Sequence, residues 1–172
     1  MQNAECSIKH AAFVSLGSNL GDPRGNVLRA IERLEELSCE PLLKSSLWQT
    51  SPVDCPPDSP KFVNAVVRLV PRPVETPEGL LEKLQALEME FGRAPKKILN
   101  EPRPLDLDLI CFGSEVRASA NLTLPHPRAH LRRFVLQPLA EIAAGLVLPG
   151  QQKTVAQLLA VLPGDAEMIR LA

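Results

Sequence analysis

The chain is poor in the groups that carry several common chemistries. It has no Tyr, one Trp and five Phe, so aromatics make up 3% of its 172 residues. A sheet that reads RNA needs exposed aromatics for stacking and a basic face; few aromatics and a net charge of −1 rank that class low. The same neutrality removes any general attraction to nucleic acid or anionic membrane. Cysteine is scarce too: Cys6, Cys39, Cys55 and Cys111 are widely spaced and form no Cys-x-x-Cys pair, which supports neither a zinc site nor a disulfide framework. Of the three His, His126 and His130 have the spacing of one helical turn, but Pro125 and Pro127 flank the first and oppose a shared helix face. No apolar run approaches the roughly 20 residues needed to cross a bilayer, and Met1 to His10 lack the apolar stretch of a signal peptide. The phosphate-loop, dinucleotide and kinase signatures are missing, as are repeats and low-complexity tracts. The expectation is a single cytoplasmic domain over 1–172.

Apolar and charged residues stand at 45% and 23%, the balance of a globular domain with a real core. Ala11 to Leu16 reads as a buried strand ended by Gly17. Pro23, Gly25 and Asn26 lead into a helix with Val27, Leu28, Ile31, Leu34 and Leu37 along one face. Leu42 to Thr50 and Phe62 to Val70 read as strands, separated by a loop from Ser51 to Pro60 with four prolines. Pro77 opens a second helix, with Leu80, Leu81, Leu84, Leu87 and Phe91 inward, and Gly92 ends it. A loop from Arg93 to Pro104 precedes a strong strand, Leu105 to Phe112. The order is βαββαβ, the ferredoxin-like split arrangement. A hairpin near Glu115 to Leu124 and helices around Phe134 to Ala144 and Val155 to Leu162 follow. The expected class is α+β, an antiparallel sheet covered by helices on one face, with C-terminal additions.

Charge concentrates in one stretch. Between Arg93 and Arg133 lie eight Lys or Arg and four acids. Such a segment suits a phosphate-rich ligand with metal ions, although a solvated charged surface is the commoner meaning of such a run. Within it, Leu105-Asp106-Leu107-Asp108-Leu109 places both aspartates on one strand face and the leucines on the other. An amphipathic strand with a wet face produces the same pattern. Two features favour a metal site over that reading. Aspartate is a poor strand former, and Pro102-Arg103-Pro104 sets a guanidinium beside two like charges that repel unless cations hold them. Hard oxygen ligands in small number suit Mg²⁺, which keeps its waters and takes further oxygens from phosphates.

Five runs, in order, carry a resemblance: Val14-Ser15-Leu16-Gly17-Ser18-Asn19-Leu20-Gly21; Phe62-Val63-Asn64-Ala65; Glu88 with Phe91-Gly92-Arg93; Pro102 to Asp108; and Leu124-Pro125-His126-Pro127-Arg128 closing with Arg132-Arg133-Phe134-Val135-Leu136. Over nearly its whole length the chain resembles the 6-hydroxymethyl-7,8-dihydropterin pyrophosphokinases. The resemblance implies a ferredoxin-like fold, two Mg²⁺ ions, ATP as co-substrate and AMP as product, with no nucleic acid, membrane or obligate protein partner. It implies that Asp106 and Asp108 bind metal and, with Arg103, form the catalytic group. Phe62 and Phe134 match the aromatics that sandwich the pterin, Asn64 the residue on its edge, and Thr50, Pro52 and Val53 the loop over it. Gln85, Glu88, Arg93, Arg103, Leu109, Thr123, His126 and Arg132 match positions around ATP.

The chain also departs from the family. Pro95 stands where a second arginine is usual, and Asn100-Glu101 where Trp-Gly is usual. Lys96 and Lys97 restore some charge, but lysine is not a bidentate fork. The loop from Arg93 to Pro104 is expected to act as a lid, so these changes bear on rate and affinity before fold. A non-catalytic paralogue that binds nucleotide or pterin, and an unrelated Mg²⁺ phosphotransferase, are the competing readings.

Overall fold

The computed structural model describes residues 10–52, 55–95, 97–164 and 167–172. Its centre is β1 (Ala12–Ser18), buried along its whole length. Antiparallel neighbours flank it: β4 (Phe62–Leu69) on one side and β5 (Asp106–Phe112) on the other. Beyond β4 lie β2 (Leu43–Lys44) and β3 (Trp48–Thr50), and β3 in turn pairs with β8 (Met168–Arg170). The sheet order β5-β1-β4-β3-β8, with every pairing antiparallel, is the expected βαββαβ arrangement plus a C-terminal edge strand. β6 (Arg117–Ala118) and β7 (Thr123–Leu124) form the expected hairpin.

Two helices cover one face. In α1 (Pro23–Glu35), Val27, Ala30, Ile31 and Leu34 are buried at helical spacing; Leu28 lies off that stripe and is 44% exposed, so its inward placement was wrong. Asp22 and Thr76 cap α1 and α2 (Pro77–Glu90) by accepting from the amides of Gly25 and Gly79, and a proline opens each helix. Gly92, at φ +89°, supplies the left-handed turn that ends α2. These helices bury Val14, Leu16, Ala65, Val67, Leu107 and Leu109.

Three further expectations needed correction. Helices cover both faces: α3 (Arg133–Ala143) and α4 (Val155–Val161) pack Val135, Leu136, Leu139, Val155 and Leu158 on Phe13, Val66, Ile110 and Cys111. The cause is visible in β1, β4 and β5, whose apolar side chains fall on both sides of the sheet and demand a second layer. Gly17 does not end β1; it lies inside the strand, opposite Asn64 and Asp106. The span from Leu42 to Thr50 is two short strands, because the Ser45 hydroxyl takes the Val66 amide (2.9 Å) in place of a regular backbone acceptor.

The second layer stops short. It covers the Phe13 end of that face and leaves the end with Ser15, Gly17, Phe62, Asn64, Asp106 and Asp108 to the loops. Leu136 is fully buried in this layer, so Leu136→Ala is expected to cost about 2–5 kcal/mol in urea denaturation. A cost below about 1 kcal/mol would show that the second layer is not a packed core.

Candidate active site

β5 is an edge strand, so alternate backbone groups face outward without a sheet partner. Glu88, near the end of α2, answers this: its Oε1 accepts from the Leu107 amide at 2.7 Å. The same oxygen accepts from Arg93 Nη1 at 2.6 Å, and Arg93 Nη1 also donates to Asp106 Oδ1 at 2.7 Å. Burial, more than any other influence, raises the proton affinity of Glu88 above the carboxylate norm. Glu88 is therefore not a solvated helical carboxylate, and its Oε1 is engaged within the fold. It holds the strand that carries the acid pair.

Asp106 and Asp108 share the partly open face, as the alternation required, with Leu105, Leu107 and Leu109 in the opposite core. Asp106 has two guanidinium neighbours, Arg93 and, at 3.7 Å, Arg103. Among the described residues no ion pair reaches Asp108. Burial first, then the charge of Asp106, pushes the Asp108 carboxyl up to about 7, against the pull of Arg132 and Arg103. Two carboxylates about 7 Å apart along a strand repel by about 2 kcal/mol at the effective dielectric of such a site. A cation between them relieves both the burial and the repulsion.

Arg103 is itself fixed. Asn19 Oδ1 accepts from its amide at 2.9 Å, its carbonyl accepts from the Asn19 amide at 3.2 Å, and Asn19 Nδ2 reaches the Pro60 carbonyl at 3.4 Å. One asparagine thus ties the β1 turn to both proline-bearing loops. The Arg103 guanidinium lies over the Phe62 ring at 5.7 Å and that of Arg132 over Phe134 at 5.4 Å, distances at which cation and ring attract. The Arg103 Nε is buried without a hydrogen-bond partner, a donor that a ligand oxygen would satisfy. A small cleft of about 90 Å³ adjoins it, lined by Leu20, Arg93, Glu101 and Arg103 among others.

The other wall comes from β4 and β3. Asn64 Nδ2 donates to Thr50 Oγ1 at 2.6 Å. A Cβ at Gly17 would approach Asn64 Oδ1 to 3.0 Å and the Phe62 ring to 3.7 Å. The glycine therefore makes room for the amide, a close approach that a glycine within a strand can signal. Its role and that of Asn19 were missed in the sequence; the run from Ser15 to Gly21 was the available signal.

The remaining candidates divide. His126 is half-buried, with Nδ1 accepting from the Arg128 amide at 3.2 Å. Thr123 and Gln85 are exposed, on β7 and α2. Leu109 turns its side chain into the core and can offer a ligand only backbone. Pro52 is half-buried in the proline loop, while Val53 and Lys96 lie outside the described residues. A wider cleft, about 790 Å³ between α1 and the β2, β8 side of the sheet, includes none of these residues. Its Lys44 is paired with Glu35 and its Arg24 with the Ala172 carbonyl.

The sequence profile described as 7,8-dihydro-6-hydroxymethylpterin-pyrophosphokinase (HPPK) matches residues 13–144. The chain belongs to that family. A Haemophilus influenzae protein named 2-amino-4-hydroxy-6-hydroxymethyldihydropteridine pyrophosphokinase is 40% identical over 144 residues, covering 82% of this chain and 86% of that one. A Synechocystis protein of the same name is 41% identical over 150 residues, covering 87% and 75%. The crystal structure of wild-type Plasmodium falciparum HPPK-DHPS with pteroate superposes with a TM-score of 0.68 at 13% identity, over 88% of this chain and 42% of that chain. That likeness shows the shared fold, and this chain spans about two-fifths of the solved one.

Two measurements test the geometry. Glu88→Ala strips the Leu107 amide and Arg93 of their acceptor, and the expected loss is about 3 kcal/mol by chemical denaturation. A loss under about 0.5 kcal/mol would place Glu88 outside the support of β5. For His126, burial, then Arg132 and Arg128, hold the imidazole down at about 4. The unfolded chain, with the ordinary value near 6.5, takes the proton first. This contribution to stability is intact above pH 6.5 and drains as pH falls toward 4. Asp108 and Glu88, shifted upward, act in the opposite sense. His126→Asn is expected to flatten the loss of stability between pH 6.5 and 4; an unchanged slope would refute the neutral, buried imidazole.

Proposed function

We propose that this chain transfers pyrophosphate from ATP to the hydroxymethyl group of 6-hydroxymethyl-7,8-dihydropterin, releasing AMP, with two Mg²⁺ ions held through Asp106 and Asp108. The observation that carries this reading is the acid pair on β5, backed by Arg93, Arg103 and Arg132 and flanked by Phe62, Asn64 and Phe134. The names of the relatives supply the substrate class, and the unit acting is taken as 1–172, in the cytoplasm. No described helix is long and apolar enough to cross a membrane.

The donor set suits Mg²⁺. Among the described residues no three His, Cys, Asp or Glu gather into a metal cluster, so two carboxylates are the protein's share, with waters and phosphate oxygens left to complete the coordination. When bound, such ions neutralise phosphate charge and polarise the transferring group. The chain's own work is positional. Phe62 and Phe134 present ring faces for a flat heterocycle, and Asn64, oriented by Thr50, offers its carbonyl oxygen to a ring-edge donor. Pro52 is assigned to the loop that closes this pocket, and the resemblance adds Val53, which lies outside the described residues. On the nucleotide side, Arg93, Arg103 and Arg132 supply forked donors for phosphate. His126, kept neutral, keeps one ring nitrogen for a hydrogen bond, with Thr123 and Gln85 at the margin. Leu109, two residues beyond Leu107, offers its edge-facing backbone, and Glu88 contributes by holding β5. Catalysis then rests on alignment and charge compensation rather than a covalent intermediate.

The competing paralogue reading draws on the lid, where Glu101 accepts from the Lys97 amide at 3.1 Å and Asn100 takes φ +54°. One assay separates them. Wild type is expected to release AMP from ATP only when the hydroxymethyl-dihydropterin is present, and Asp106→Ala and Asp108→Ala to lower that rate by at least about 10³-fold. Thermal stabilisation by the same ligands without AMP release at high enzyme concentration would establish a binding protein instead.

A further inference from the structure

The chain's single tryptophan and one glutamate form a junction away from the acid pair. Glu141, on the last turns of α3, accepts from Trp48 Nε1 through Oε1 at 2.6 Å. Its Oε2 accepts from the Ser46 amide at 3.2 Å and the Ser46 hydroxyl at 2.8 Å. Arg170 of β8 donates from Nε to Ser46 Oγ at 2.8 Å, and its Nη2 lies 3.9 Å from Glu141 Oε2. One carboxylate therefore joins α3, the break between β2 and β3, and β8. Hydrogen bonds from the indole and Ser46 hold its proton affinity below the carboxylate norm, against the effect of burial.

What this junction positions follows from the register. Trp48 stands opposite Asn64, and Thr50 opposite Phe62. Two residues after Trp48, on the same strand face, the Thr50 hydroxyl holds the Asn64 amide at 2.6 Å. At the other end of α3, its first turn carries Phe134, immediately after Arg132 and Arg133. The two flanks of the proposed pterin pocket therefore sit on different elements: Phe62, Asn64 and Thr50 on the sheet, Phe134 on the helix. Glu141 is a charge-assisted link between those elements, and such links are short and directional. The acid pair, by contrast, is held by Glu88 of α2 and by Arg93 just beyond it, both outside the junction.

We propose that Glu141 and Trp48 are positioning residues for the pterin pocket: their hydrogen bond sets α3 against β3 and β4, and so the spacing between Phe134 and the Phe62, Asn64 wall. The inference rests on the pterin reading of that pocket. It requires that loosening the link weaken pterin binding well beyond any effect on the nucleotide side, where Arg132 adjoins α3 but Arg93 and Arg103 lie outside the junction.

The test is a double-mutant cycle on the full chain with Trp48→Phe, which keeps a ring and deletes the N–H donor, Glu141→Ala, and both together. The expected result is a rise of about fivefold to tenfold in KM for the hydroxymethyl-dihydropterin in each single variant. KM for ATP should stay within about twofold, and the double variant should be no worse than the worse single one. Glu141→Gln, which keeps a carbonyl acceptor for the indole, is expected to recover most of the loss and guards against a variant that fails to fold. Parallel rises in both KM values that track a falling Tm would overturn the proposal, as would unchanged pterin KM or additive losses. If wild type shows no AMP release, the functional assignment itself fails. If wild type turns over and the variants match it, only the positioning role fails.

Discussion

Two aspartates held at fixed spacing on a largely buried edge strand are the feature around which the rest of this protein is arranged. Their mutual repulsion and desolvation oppose folding, and β5 cannot relax because its other face is packed with leucines in the core. The surroundings answer in layers. Arg93 and Arg103 compensate Asp106 directly, while Arg132 and Arg103 act on Asp108 only through the field. Glu88 takes the outward amide of Leu107 and orients Arg93. The arrangement leaves Asp108 the less compensated of the two carboxylates, which is where a divalent cation has most to offer.

The same strand shows how stability and function share residues. Glu88 is a ligand-binding candidate when the chain is aligned by motif, and one of its carboxylate oxygens also holds the Leu107 amide and Arg93 within the fold. Asn19 has a comparable part, for it binds Arg103 at two backbone atoms and also reaches Pro60. Groups of this kind govern how well a site is formed rather than what it touches.

Much of the fold was legible because its signals are local. The positions Val27, Ile31 and Leu34 on one helix face, the proline that opens each of the first two helices and the strand pattern around Asp106 all depend on neighbours within a few turns of chain. Apart from Leu28, the misplaced features depend on distant partners. Leu28 belongs to an apolar stripe by composition but lies off its axis. Ser45 breaks its strand through Val66, and Gly17, which punctuates a sequence, serves here to admit Asn64. β8 is three residues long and carries no periodicity of its own; only β3 makes it a strand.

The sequence by itself determined the βαββαβ core order, the shared face of Asp106 and Asp108, and the family, because alternation and motif identity are written along the chain. Only the tertiary structure decided how far the second helical layer reaches over the sheet, that Glu88 faces inward, and that the tryptophan meets Glu141 from 93 residues away. Those outcomes follow from burial and hydrogen-bond demand shared between segments remote in sequence. No local pattern encodes which remote group will satisfy an exposed amide or fill a gap beside a glycine.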